Sequence, residues 1–120
     1  MLPLFGTWLE QTRELQRESY GYDPQDGSDE LRWLNYVREQ TLAAFVELGE
    51  FIQNLAWKPW AKNPRLPDQE EREEAIVEMV DLLHFVANNL TALGVTDEEL
   101  SLTYGKKMSV NRNRMAGGGH

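Results

Sequence analysis

Cysteine is absent from this 120-residue chain, so it has neither a disulfide framework nor a thiolate metal site, and any metal must take oxygen or imidazole ligands. No apolar run approaches a membrane span, and the stretch Met1 to Leu9 lacks the basic region that opens a secretory signal. No alternating β-branched run is long enough to build a sheet. Positive charge is also scarce. A formal net charge of −8 reverses the sign of the attraction that dominates binding to nucleic-acid backbones. These absences predict a cytoplasmic protein with no membrane or nucleic-acid partner. At this length the chain fits one domain with a modest core, so a homo-oligomer is expected, a dimer or a dimer of dimers.

Glycine and proline divide what remains into four helical stretches, which predicts an all-α class with a four-helix bundle core over residues 1–116 and a flexible tail over 117–120. The first helix is expected from about Leu4 to Tyr20, stopped by Gly21-Tyr22-Asp23-Pro24. Ser28 or Asp29 caps the second, whose residues Leu31, Leu34, Thr41, Phe45, Leu48, Ile52 and Leu55 recur at helical spacing and predict a core-facing stripe. Pro59, Pro64 and Pro67 mark the next break. Asp68 and the acidic run Glu70 to Glu74 suit the positive end of a third helix reaching about Leu93, with Val80, Leu83, Val86, Ala87 and Leu90 as its core face. After Gly94, Thr96 with Glu99 three residues on reads as a capping box for a fourth helix through Met108 or beyond.

Residues three apart on a helix share a face, so Glu47 with Glu50 and Glu78 with Asp81 each form a two-carboxylate edge. Such spacings are common on solvated helices, and alone they mean little. Context distinguishes the second pair: from Ile76 to Leu90 the chain is mostly apolar, and Glu78, Asp81 and His84 interrupt it where a solvated helix would carry lysine or arginine. Four carboxylates gathered in poor solvent repel one another unless some are protonated or a cation joins them. Oxygen-only ligands favour Mg²⁺, with Mn²⁺ as a substitute, and Mg²⁺ commonly completes its shell with water and phosphate oxygens.

Two further groups of residues carry potential chemistry. Trp57-Lys58-Pro59-Trp60 sets a cation between aromatics at a chain turn, with Lys62 nearby. It suits either a nucleotide pocket or a seal at the bundle's end. Lys107, Asn111 and Arg114 are spaced by four and three, aligning three donors that suit either a polyphosphate or solvent at a basic helix end. For His84 a packing role competes with ligand contact.

Together these elements resemble the all-α nucleotide pyrophosphohydrolase superfamily, and within it the dimeric dUTPase and MazG-like branches. The resemblance rests on Glu47-Leu48-Gly49-Glu50 followed by Glu78-Met79-Val80-Asp81, on Trp57-Lys58-Pro59-Trp60, on Asp81-Leu82-Leu83-His84-Phe85, and on Tyr104 with Lys107, Asn111 and Arg114. It implies hydrolysis of a deoxynucleoside triphosphate, best dUTP, to the monophosphate and pyrophosphate. Glu47, Glu50, Glu78 and Asp81 would be the catalytic carboxylates holding Mg²⁺, with Glu47 orienting or deprotonating water. Lys58, Lys107, Asn111 and Arg114 would bind phosphate, and Gln16, Trp60, His84 and Phe85 would shape the base pocket. Tyr20 stands where the dUTPase branch usually has asparagine, and Val46 where many MazG-like chains carry an additional glutamate. A MazG-like enzyme acting on dGTP or dATP therefore stays open, as does a non-catalytic helical scaffold or nucleotide-binding protein.

Overall fold

Residues 5–60 and 64–117 are described by a computed structural model, and they form four α-helices with no strand among them. The helices are α1 (Gly6–Ser19), α2 (Glu30–Gln53), α3 (Gln69–Ala92) and α4 (Asp97–Ala116). No single one is long and apolar enough to cross a membrane. The expected start at Leu4, Lys62, and the tail beyond Gly117 fall outside the described residues.

Each boundary has a local cause. Asp29, rather than Ser28, caps α2 by accepting from the Arg32 amide at 3.1 Å. At α3 the Asp68 carboxylate accepts from the Glu71 amide at 2.9 Å, and the Glu71 side chain accepts from the Asp68 amide at 3.0 Å, closing a reciprocal capping box. Thr96 caps α4 by accepting from the Glu99 amide at 3.1 Å. At the end of α3, Gly94 adopts φ 72°, its amide bonds to the Thr91 carbonyl, and the Val95 amide bonds to the Leu90 carbonyl. This is a Schellman ending, which requires a left-handed residue at the glycine position. The chain then bends by 112° into α4.

Helices α2 and α3 form the main pair, and α1 packs on α3. They run antiparallel, because Trp33 Nε1 donates to the Ala92 carbonyl at 3.1 Å, Asn88 Nδ2 to Gln40 Oε1 at 2.8 Å, and Glu47 and Glu50 lie beside Glu78. The buried centre holds Tyr22, Tyr36 and Ala92, with Trp33 and Val37 packed against it. Buried Leu9, Thr12 and Gln16 supply the inner face of α1. Pro24, in the loop between α1 and α2, is fully buried. Helix α4 is tied to the start of the chain, where the Phe5 amide donates to Asp97 Oδ1 at 2.8 Å and the Phe5 and Tyr104 rings meet edge-on.

Two expected core stripes are not covered. On α2, Leu31, Leu34, Thr41, Phe45 and Leu48 are exposed, Phe45 by 65%, and of the expected stripe only Ile52, and Leu55 just past the helix, are half-buried. On α3, Val80, Leu83 and Val86 are exposed, while Ala87 is buried and Leu90 half-buried. The reason lies in the seam between the two helices. It follows Trp33, Val37, Gln40 and Glu47 on one side and Ala92, Asn88 and Glu78 on the other, so aromatic, amide and acidic residues occupy it. The larger aliphatic faces point away from the chain's own interior.

Candidate active site

Helical spacing puts Glu47 and Glu50 on one edge of α2, and the antiparallel seam brings that edge to Glu78 of α3. One carboxylate oxygen from each of these three residues lies within 4.8 Å of the others. Glu47 and Glu78 are half-buried, and Glu50 is exposed. Among the described residues no donor answers them: Glu47 Oε2 is buried and without a hydrogen-bond partner. The Glu50 carboxyl is pushed above the ordinary carboxylate range chiefly by its closeness to Glu78, with which it can share a proton. Glu78 is pushed up in turn, first by the closeness of Glu47 and then by burial. Three oxygen donors with an orphaned buried acceptor fit a hard divalent cation, and this cluster can hold a metal ion.

Asp81 stands outside that triad. It lies one turn further along α3, half-buried, and lines a cleft of about 720 Å³ between α1, α2 and α3. Of the residues expected at a base pocket, Gln16, His84 and Phe85 line the same cleft. Gln16 is buried, and Tyr36 Oη donates to its Oε1 at 3.0 Å. Burial holds the Tyr36 hydroxyl far above its ordinary range, so it keeps the proton it donates. At the cleft's other end the Arg32 guanidinium sits 4.5 Å from the centre of the Tyr22 ring.

The remaining expected residues are not gathered here. Trp60 is exposed and meets Trp57 edge-on at 5.9 Å, outside the cleft lining, with Lys58 exposed between them. Lys107, Asn111 and Arg114 are exposed on α4, also outside it. Conversely, the cleft contains Tyr36, Gln40 and Asn88, none of which the sequence reading singled out. The one signal that could have found Asn88 is the pair of amides, Asn88-Asn89, set between Ala87 and Leu90 in a mostly apolar stretch.

The comparisons with known proteins bear on the same stretch of chain. A family profile described as dUTPase matches residues 14–91, which carry all four acids, the cleft and the α2–α3 seam. A dCTP pyrophosphatase of Enterobacteria phage LZ5 is 30% identical over 98 residues, 68% of this chain and 57% of that protein. The chain therefore spans little more than half the length of that curated relative. No solved structure gives a significant match.

Proposed function

Since the chain belongs to the all-α dUTPase family, we propose that it is a metal-dependent pyrophosphohydrolase of a pyrimidine deoxynucleoside triphosphate, either dUTP or dCTP. The observation that carries this reading is the uncompensated cluster of Glu47, Glu50 and Glu78 opening beside a nucleotide-sized cleft. The family profile favours uracil and the phage relative favours cytosine.

In this reading Glu47, Glu50 and Glu78, joined by Asp81 one turn further along α3, would hold Mg²⁺, or Mn²⁺ in its place. Bound there, the cation supplies positive charge for phosphate oxygens and lowers the pKa of coordinated water. Glu47, whose Oε2 is buried and without a hydrogen-bond partner, would orient or deprotonate the attacking water. Gln16, His84 and Phe85 hold the base, with the phosphates reaching toward the acids past Asp81. Lys58, Lys107, Asn111 and Arg114 grip phosphate oxygens, and Trp60 borders the base. None of these last five lines the cleft described above, and in this reading they join the site in a homodimer. The exposed faces of α2 and α3, including Phe45, Val46, Val77 and Val80, supply the apolar area that a second copy would cover.

The test is a screen of dUTP, dCTP, dATP, dGTP and the ribonucleotides with Mg²⁺, separating pyrophosphate from orthophosphate release. Pyrophosphate from a pyrimidine deoxynucleotide supports the assignment, whereas no turnover of any of them removes it. Light scattering should give twice the chain mass at tens of micromolar, and a monomer would overturn the dimeric site.

A further inference from the structure

Gln16, near the end of α1, is held through its backbone and its side chain together. Its backbone carbonyl accepts from the Tyr20 amide at 3.1 Å and the Tyr22 amide at 3.2 Å, and its side-chain Oε1 accepts from Tyr36 Oη at 3.0 Å. The Tyr22 and Tyr36 rings meet with their centres 5.0 Å apart, so these residues close a loop of contacts joining α1, the connection after it, and α2. Tyr36 is buried, and among the described residues its hydroxyl has no other partner.

That isolation fixes the sense of the Gln16 carboxamide. A phenol oxygen can also accept, so the amide could turn and donate its nitrogen to Tyr36 Oη, but the buried hydroxyl proton would then have no acceptor, which is the costlier arrangement. With Oε1 taken, Gln16 has only N–H groups to offer. Its Nε2 meets no acceptor among the described residues, and it is not one of their buried atoms left without a partner, which are Glu47 Oε2, Asn88 Oδ1, Asn89 Oδ1 and Thr91 Oγ1. Nε2 therefore keeps contact with open space, and the open space that Gln16 borders is the cleft.

Eleven residues of α2 separate Tyr36 from Glu47, roughly 16 Å at the rise of an α-helix. Position 4 of a pyrimidine lies across the ring from the nitrogen that carries the sugar. With the phosphates at the acids, position 4 is the part of the base that extends furthest toward Tyr36. Uracil has a carbonyl acceptor there, and cytosine an amino donor.

Resting on the pyrimidine pyrophosphohydrolase reading above, we propose that Tyr36 is a positioning residue that selects uracil over cytosine: by holding Gln16 Oε1 it aims the Gln16 N–H groups into the cleft, where they meet the uracil 4-carbonyl and reject the cytosine amino group. Tyr36 acts through Gln16, far from the acids, so it governs which base is held and leaves the phosphate chemistry alone.

The readout is the kcat/KM ratio of dUTP to dCTP, in which the phosphates common to both nucleotides cancel. The parent should prefer dUTP. Tyr36→Phe keeps the ring against Tyr22 but frees the amide to turn, and the ratio should fall about tenfold, with the loss on dUTP carried by KM more than by kcat. Gln16→Glu puts an acceptor where Nε2 stood, and its ratio should fall further, to a preference for dCTP. In a Gln16→Ala background, adding Tyr36→Phe should change the ratio less than about twofold, because the residue through which Tyr36 acts is gone. A parent that prefers dCTP, a ratio unmoved by Tyr36→Phe, or the same tenfold change in the Gln16→Ala background overturns the proposal and leaves the pyrophosphohydrolase reading standing. If the parent cleaves neither nucleotide, that reading fails by itself. Calorimetric binding of dUMP and dCMP to the same folded proteins then judges Tyr36, and absence of binding or of this order of preferences overturns the proposal.

Discussion

The two ends of the acidic stretch on α3 carry the same kind of side chain and live under opposite conditions. At its N-terminus, Glu71 is held by both guanidinium nitrogens of Arg65, at 2.6 and 2.9 Å, and by the Asp68 amide at 3.0 Å. Arg65 first, then the Asp68 amide, pulls its pKa down to about 2. Two turns on, Glu78 faces Glu47 and Glu50 with no cation among the described residues, and its carboxyl is pushed up. Acidity alone thus says little about a role. Glu71 is complete within the chain, whereas Glu78 is complete only with something added.

The largest expected effect separates these regions by activity. Glu47→Gln preserves size but removes the buried acceptor, and pyrophosphate release should drop by roughly 10²-fold or more if Glu47 takes the water's proton. Glu71→Gln should leave turnover within about threefold of the parent, because this carboxylate lies at the outer end of the helix. Equal losses in the two variants would erase the contrast.

Metal titration separates them next. Mg²⁺ should raise the melting temperature of the parent and of Glu71→Gln, and it should raise that of Glu78→Gln much less. In EDTA, Glu78→Gln should melt no lower than the parent, since it removes a repelling charge. A metal response that survives Glu78→Gln would take the cation away from this cluster.

A smaller effect is expected from pH in EDTA, and its sign differs between the two regions. The folded pKa of Glu71 lies below its ordinary value of 4.5, so its contribution is present above that value and is lost as pH falls toward about 2. The folded pKa values of Glu50 and Glu78 lie above 4.5, so the protein is favoured where they are protonated and loses that advantage as pH rises through and beyond 4.5. Thermal unfolding across this range should therefore show a flatter acid limb in Glu71→Gln and a flatter upper limb in Glu78→Gln. Both carboxylates are exposed or partly so, and screening keeps the amplitudes small.

Much of this arrangement was legible from residue order. Caps at Asp29, Asp68 and Thr96 and the glycines at 21 and 94 mark the helix ends because their effects act within a turn of the chain. The i, i+3 acids share an edge for the same reason. Less legible was the seam. Periodicity identifies the apolar face around Phe45 and Val80, but nothing local says whether that face meets the same chain or another copy. Gln40 and Asn88 escaped notice because a polar residue reads as solvent-facing until its partner on a distant helix is known, here 48 positions away.

The tie between Phe5 and Asp97 joins residues 92 positions apart, at the start of α1 and the start of α4. α1 packs on α3, and the Asp97 carboxylate, by accepting from the Phe5 amide, links the first turn of α1 to the first turn of α4. The opening turns of α1 and α4 should accordingly exchange their amide hydrogens as one cooperative unit, at a lower opening free energy than the α2–α3 pair. The chain's two extremities would then unfasten together before the seam that carries the acids loosens.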